Sequence, residues 1–210
     1  MGFYSLSQLQ NDSDLISLHC DHAWGKIIGK AKENWATYHT SHNDPEGFKI
    51  IISDVDLFWK VYDQLPSEKD PASFLEHHYL DSGTSGLQGF IVRRIESGEK
   101  LNEAIETFPR FYSAIRNNTL RLASVESAVR TEMRKFKTIY ADAEFPDVYI
   151  VVGRFSSGGT ATSEGLVLGA ELFTEGHGIP LVELGDWQRS VIDTAAPLPN
   201  TIAHELMHFQ

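Results

Sequence analysis

The sequence lacks the features that mark several specialised protein classes. Cys20 is the one cysteine among 210 residues, so no disulfide can form within the chain and the redox compartment stays open. No apolar run has the length that crosses a bilayer, so no membrane span is predicted. Positive charge is scarce, because 18 basic residues face 29 acidic ones and the formal net charge is -11. This balance argues against nucleic acid as a partner.

The amino terminus also lacks the basic and apolar regions of a secretion signal. We expect a cytoplasmic protein if Met1 is the native start, and an exported protein if an upstream signal is missing. The remaining composition, 41% hydrophobic and 22% charged, is typical of a globular protein with one sizeable domain.

The order of predicted elements indicates an α+β fold. Residues 1–45 are predicted to be a loosely ordered or helical lead segment, and residues 46–210 a single domain. Within this domain we predict a short strand at 48–53, helices over 54–140, where apolar residues recur at helical spacing, and further strands over 147–173. A motif helix is predicted over 199–210, with Pro199 suited to its first turn.

Two β-branched runs define the predicted sheet. They lie at 147–153 and 165–173, and a loop of small and polar residues joins them. Two strands connected in this way predict a small antiparallel sheet. The loop is either a glycine-permitted turn that joins the two strands or the rim of a cleft. On the second interpretation, four residues in or near it are candidates for contact with a substrate: Arg154, Gly158, Gly159 and Gly169. A phosphate loop is not expected, because the Gly-Lys-Ser/Thr ending is absent.

The most informative pattern is His-Glu-x-x-His, formed by His204, Glu205 and His208. On a helix the two histidines lie about 40° apart around the axis and one turn apart along it, so both imidazoles can bind one Zn²⁺ ion. Glu205 lies about 60° from His208, where it reaches a zinc-bound water and can act as general base. Five apolar residues fall on the opposite half of the helix and are predicted to face the core: Ile202, Ala203, Leu206, Met207 and Phe209.

Several segments together resemble a family of predicted bacterial zinc-dependent proteases. The resemblance covers about residues 48–210, and its segments are 145–160, 164–171 and 202–210, with weaker similarity at 53–59 and 111–119. It implies a zincin-type fold, a peptide or protein substrate, and an edge strand that lines the cleft above the zinc-binding helix. It also implies that His204 and His208 are zinc ligands and that Glu205 is the catalytic base.

The resemblance supplies no third zinc ligand, although a catalytic zinc usually keeps three protein ligands and a water. In such enzymes the third ligand follows the motif helix, so we expect this sequence to be the amino-terminal portion of a longer enzyme. We expect weak zinc affinity and little activity from the 210 residues alone. The substrate, the oxyanion stabiliser and the oligomeric state are not predicted.

Three alternatives remain open. The chain could be a zinc hydrolase of a non-peptide bond, because the motif sets the metal and the base but not the bond that is cleaved. It could be a non-catalytic helical interaction module with a degenerate metal site. The motif could also be the polar face of an ordinary amphipathic helix. Four further histidines have spacings that could suit a metal but are expected in loops or on the surface: His19, His22, His39 and His42. Glu171 and Glu175 are considered as acidic ligands but are not favoured.

Overall fold

Residues 5–209 are described by a computed structural model, and most of them are helical. The α-helices are α1 (Leu6–Asn11), α2 (Trp24–His42), α3 (Ser53–Tyr62), α4 (Pro71–Leu75), α5 (Ser85–Phe90), α6 (Gly98–Thr107), α7 (Pro109–Leu120), α8 (Glu126–Ile139), α9 (Asp186–Val191) and α10 (Leu198–Leu206). Helix α4 continues into a π-helical turn at Glu76–Leu80, and α5 into another at Ile91–Ile95. Short 3₁₀ turns occur at Ser13–Leu18, Leu65–Ser67, Leu122–Val125, Ala170–Phe173, Leu181–Glu183 and Met207–Phe209.

The strands form one small mixed sheet. They are β1 (Ile50–Ile51), β2 (Val148–Val151), β3 (Thr160–Ala161) and β4 (Leu166–Gly169), in the spatial order β1-β2-β4-β3. Strands β1 and β2 are parallel, β2 and β4 are parallel, and β3 runs antiparallel to β4 at one edge. Many helices around a small sheet agree with the predicted α+β class.

The prediction of an antiparallel pair is wrong for the two long strands. Val148 pairs with Leu166 and Val151 with Gly169, so β2 and β4 run in the same direction. The connection between them is long enough for the chain to return to the start of the sheet, as a parallel pair requires. The antiparallel neighbour of β4 is instead the short β3, and a tight turn with Gly165 at φ 143° joins these two strands.

Two further expectations about the strands need correction. The sheet is not confined to residues 147–173, because the short strand predicted at 48–53 is present as β1 and pairs with β2. The second predicted strand is also too long, because the chain leaves the sheet after Gly169 and forms a 3₁₀ turn at Ala170–Phe173.

Every residue of β2 and β4 is buried, so side chains on both faces of these strands are covered. Helix α3 packs on β2, α5 packs on β2 and β4, and α10 packs on β3, β4 and α8. The lead segment adds α1 and α2, the second of which corresponds to the helix expected there. Among residues 5–209, no helix combines the length and the apolar character that crossing a bilayer requires.

The closest approach of α5 to the sheet occurs at Gly86. A Cβ added there would lie 2.1 Å from Cγ of Tyr149 in β2, which is far inside van der Waals contact. We therefore expect Gly86→Ala to lower the free energy of unfolding by about 1–3 kcal/mol, because helix and strand must move apart.

Gly29→Ala is the matched control, since Gly29 also lies in a helix but an added Cβ has nothing within 4 Å. This variant should be unchanged or up to about 1 kcal/mol more stable. Urea denaturation measures both variants, and equal effects would show that Gly86 does not set the packing distance.

Candidate functional site

The His-Glu-x-x-His segment spans the end of α10 and the turn that follows it. His204 and Glu205 lie in the α-helix, whereas His208 lies in the 3₁₀ turn Met207–Phe209. Of the helix predicted over 199–210, the part to Leu206 is α-helical, Met207–Phe209 winds more tightly, as helix ends often do, and Gln210 lies outside the described residues. Met207, expected to face the core, is instead 53% exposed. Ile202 and Leu206 are buried as predicted.

The two imidazoles have a separation that suits one metal ion. Their ring centroids are 5.9 Å apart and their planes meet at 83°. Two imidazoles that share a tetrahedral zinc ion at bonds of about 2.0–2.1 Å have centroids roughly 5.2 Å apart, so a small side-chain rotation would bring both rings onto one ion. Both side chains are exposed, and no described residue forms a hydrogen bond to either ring. The rings of His204 and His208 are therefore available as ligands.

A third ligand is not found near this pair. Among residues 5–209, no group of three His, Cys, Asp or Glu side chains lies close enough together to hold a metal ion. If they bind zinc, the two histidines would provide two of the three protein ligands that a catalytic zinc usually has. Glu171 and Glu175, the acidic residues considered from the sequence, do not supply the third.

Glu205 lies against the glycine-rich loop before β3. A Cβ added to Gly159 would be 2.9 Å from both Cγ and Cδ of Glu205, so the glutamate side chain passes directly over the backbone of that glycine. Glu205 is partly buried, and no described residue donates a hydrogen bond to its carboxylate. The Glu205 side chain therefore packs on the Gly159 backbone, and its carboxylate has no hydrogen-bond donor among the described residues.

Gly159 immediately precedes β3, and this places Glu205 at an edge of the sheet. Strand β3 is the last strand in the order β1-β2-β4-β3, and its one neighbour among the described strands is β4. Ala161 in this strand is exposed. Helix α10 and the outer edge of β3 together therefore border the same surface, and an extended chain could pair with that edge.

The loop after β2 owes its shape to a buried acid that the sequence analysis had considered as a metal ligand. Glu171 is fully buried, and its carboxylate accepts hydrogen bonds from the backbone N–H groups of Gly153 at 2.8 Å and Phe155 at 2.9 Å. Phe155 has a φ of 63°, which is rare for a bulky residue and strained. The two hydrogen bonds therefore hold a strained turn at the beginning of the loop.

Two buried tyrosines support the same turn from the other side. Tyr79 donates its hydroxyl hydrogen to the Val152 carbonyl, and Tyr112 donates to the Gly153 carbonyl, each at 2.8 Å. Burial raises the pKa of both hydroxyls well above the ordinary value, and the charge of Glu171 adds to the rise for each. Both phenols therefore remain protonated donors at neutral pH.

The predicted cleft residues divide into two groups. Gly159 contacts Glu205 and belongs to the candidate site. Arg154 does not, because its guanidinium donates to the Ile95 carbonyl at 2.8 Å and forms an ion pair with Glu96. An added Cβ on Gly158 would meet only Leu172, and one on Gly169 would meet Ser157 and Glu171, so neither glycine contacts the motif. Contact of these three residues with a substrate stays a prediction.

Sequence reasoning missed the groups that hold the loop. Arg94, in the π-helical turn after α5, donates to the Thr160 hydroxyl at 2.9 Å, and Ser157 donates to the Gly159 carbonyl at 2.6 Å. No local pattern identifies these two residues. Glu171 did leave a signal, because it is one acid within an otherwise apolar run over 166–173.

The other histidines considered from the sequence have local partners. His39 Nδ1 lies 3.1 Å from Oε1 of Glu144, His42 contacts the Tyr38 carbonyl at 2.8 Å, and His19 contacts the Leu9 carbonyl at 3.2 Å. His22 pairs with Asp21 at the surface. None of them joins His204 and His208.

Comparisons with known proteins add no relative: no family model, no curated protein and no solved structure matches the chain.

The Glu171 carboxyl makes stability depend on pH in a predictable direction. Burial raises its pKa above the ordinary 4.5, and the N–H groups of Gly153 and Phe155 oppose that rise. A carboxyl with a raised folded-state pKa stabilises the fold fully below its unfolded pKa, and that contribution is lost as pH rises through the folded value. Glu171→Gln cannot titrate, so the stability advantage of the original chain over this variant should shrink as pH rises from about 4 to 8.

Urea denaturation across this pH range measures the difference. Glu175→Gln, which removes an exposed carboxylate nearby in sequence, is the control for general charge effects. An advantage that stays constant or grows with pH would contradict the proposed burial effect.

Proposed function

We propose that this chain contributes the zinc-binding helix and cleft edge of a zinc-dependent peptidase. His204 and His208 would bind the ion, and Glu205 would act as the general base. The proposal is supported by the 5.9 Å separation of the two imidazole centroids and by the absence of hydrogen-bond partners for either ring among the described residues. It is also what the resemblance to predicted bacterial zinc-dependent proteases implies.

The observation on which the proposal depends is the contact between Glu205 and Gly159. The two residues are far apart in the sequence, and their contact brings the candidate base beside the first residue of the edge strand β3. A peptide that paired with the outer edge of β3 would run past the Glu205 carboxylate. A His-Glu-x-x-His helix without a strand edge nearby would not favour a peptide over other classes of substrate.

The chemistry assigned to the chain's own residues is a proton relay. When bound, zinc would lower the pKa of a water molecule and polarise the scissile carbonyl. Glu205 would accept a proton from that water while the water oxygen bonds to the carbonyl carbon. The same carboxyl would then pass the proton to the amide nitrogen as the C–N bond breaks. Backbone groups of β3 would hold the peptide extended during both steps.

A second candidate is a non-catalytic interaction module with a degenerate metal site. It is favoured by the finding that the described residues contain no group of three metal ligands. The two candidates differ in what the natural polypeptide that bears this sequence should do when it is loaded with zinc and offered peptides.

We expect Glu205→Gln to separate zinc binding from hydrolysis. In the natural polypeptide, this variant should retain its zinc content and lose cleavage of fluorescein-labelled casein by about 10²–10⁴-fold, the usual contribution of a general base. His204→Ala should lose both zinc and cleavage, because it removes a ligand. His177→Ala, which removes an exposed loop histidine, is the matched control and should change neither.

Two outcomes would overturn this account. Cleavage that survives in Glu205→Gln would remove the glutamate from the proposed role. A zinc-loaded polypeptide that leaves both casein and a random peptide library intact would contradict peptidase function and favour the interaction module.

The adjacent glycines 158 and 159 offer a test of the Glu205 position. Gly159→Ala should displace the Glu205 side chain, because the new Cβ would lie 2.9 Å from its Cγ and Cδ. Gly158→Ala should be tolerated, since its Cβ would be 3.7 Å from Leu172 Cδ1, an ordinary contact. Casein cleavage should fall at least about tenfold in the first variant, as expected when a catalytic group is misplaced, and remain near the original rate in the second. The zinc content of the two variants should be equal. Equal rates of casein cleavage by Gly159→Ala and Gly158→Ala would show that Gly159 does not position the base.

A further inference from the structure

A cavity of about 440 Å³ lies apart from the imidazole pair, between the lead segment and the chain that follows α8. Its walls are Trp35, His39, Tyr140, Asp142, Glu144 and Phe209, together with residues 5–7. This volume lies within the range of small-molecule and side-chain pockets, which is about 300–1,000 Å³. The cavity adjoins the candidate site, because Phe209 directly follows His208 in the chain.

Aromatic rings form a large part of this cavity. Trp35 is 44% exposed and Tyr140 is 42% exposed, although aromatic side chains of this size are usually more fully buried. Trp35 is held in place by stacking on His39, with ring centroids 5.0 Å apart and planes 13° from parallel. Phe209 packs partly against the core. The cavity therefore presents fixed aromatic surface that remains accessible.

The charge of the cavity is negative. Asp142 is exposed, and no described residue pairs with its carboxylate. Glu144 is 7% exposed, and its Oε1 lies 3.1 Å from His39 Nδ1. No Lys or Arg is present among the described lining residues. The formal charge of the lining is thus negative whether or not His39 is protonated, and the chain's net charge of -11 would draw cations toward it.

Aromatic faces beside carboxylates are the surroundings that stabilise an organic cation. A guanidinium fits better than an ammonium, because it is planar, stacks on aromatic rings, is weakly hydrated and can donate two hydrogen bonds to one carboxylate. We propose that this cavity binds the arginine side chain of a peptide, with the guanidinium between the exposed aromatic rings and the Asp142 carboxylate. The inference concerns binding alone and stands whether or not the chain hydrolyses peptides.

Binding can be followed on the 210-residue chain without zinc, by NMR of the Trp35 indole N–H at physiological ionic strength. The probe is the capped tripeptide acetyl-Ala-Arg-Ala-amide, and the uncharged control peptide carries citrulline in place of arginine. We expect saturable shifts of the Trp35 signal with the arginine peptide and at least about tenfold weaker binding of the citrulline peptide, which lacks the charge. Methylguanidinium should also bind more weakly than the arginine peptide, since the cavity is larger than one guanidinium group.

A pair of variants with equal net charge tests the role of Asp142. Asp142→Asn should weaken binding of the arginine peptide roughly two- to fivefold, the effect expected of a partly exposed charge pair. Glu175→Gln removes one exposed carboxylate elsewhere and should leave the affinity unchanged. Trp35→Ala should abolish binding measured by calorimetry, whereas Trp187→Ala, which removes another exposed indole, should not.

Four results would overturn the proposal. The first is no saturable shift with the arginine peptide, and the second is equal affinity for the arginine and citrulline peptides. The third is equal weakening by Asp142→Asn and Glu175→Gln, which would indicate a general charge effect. The fourth is equal affinity for methylguanidinium and the tripeptide, which would show that the cavity does not require the guanidinium to belong to a peptide.

Discussion

The buried carboxylate of Glu171 is the constraint on which the candidate site depends. It accepts hydrogen bonds from the N–H groups of Gly153 and Phe155 and so holds the left-handed turn at Phe155. A buried charge without such partners would cost several kcal/mol. The turn directs the loop across the end of the sheet and brings Gly159 against Glu205. The loop that packs on the proposed base therefore begins at a turn held by a residue that does not contact the base.

The same loop explains why the sheet is mixed. After β2 the chain returns along the loop, forms the short β3 and enters β4 parallel to β2. This path leaves an antiparallel edge strand beside α10 and buries the two central strands completely. The tight packing of α5 at Gly86 fixes one side of the sheet. The proposed zinc ligands on α10 and the edge strand β3 therefore become neighbours through the topology rather than through sequence proximity.

The sequence predicted local structure better than long-range pairing. The helical stretch predicted over 54–140 is present as α3 to α8, because helical periodicity reports which face of a helix is buried. The direction of β2 and β4 was mispredicted, although their continuous apolar character is typical of parallel strands buried on both faces. The contact between Glu205 and Gly159 could not be predicted, since it depends on Glu171 and on the turn that this residue holds. The spacing of His204 and His208 did indicate their proximity.

The central claim is that His204 and His208 bind one zinc ion beside the edge of the sheet. Anomalous diffraction at the zinc absorption edge, from crystals of the 210-residue chain soaked in zinc chloride, tests it most directly. The account predicts an anomalous peak within bonding distance of both imidazoles, with Glu205 still packed on Gly159. Zinc bound only at other residues, or rings turned away from each other in zinc-soaked crystals, would contradict it.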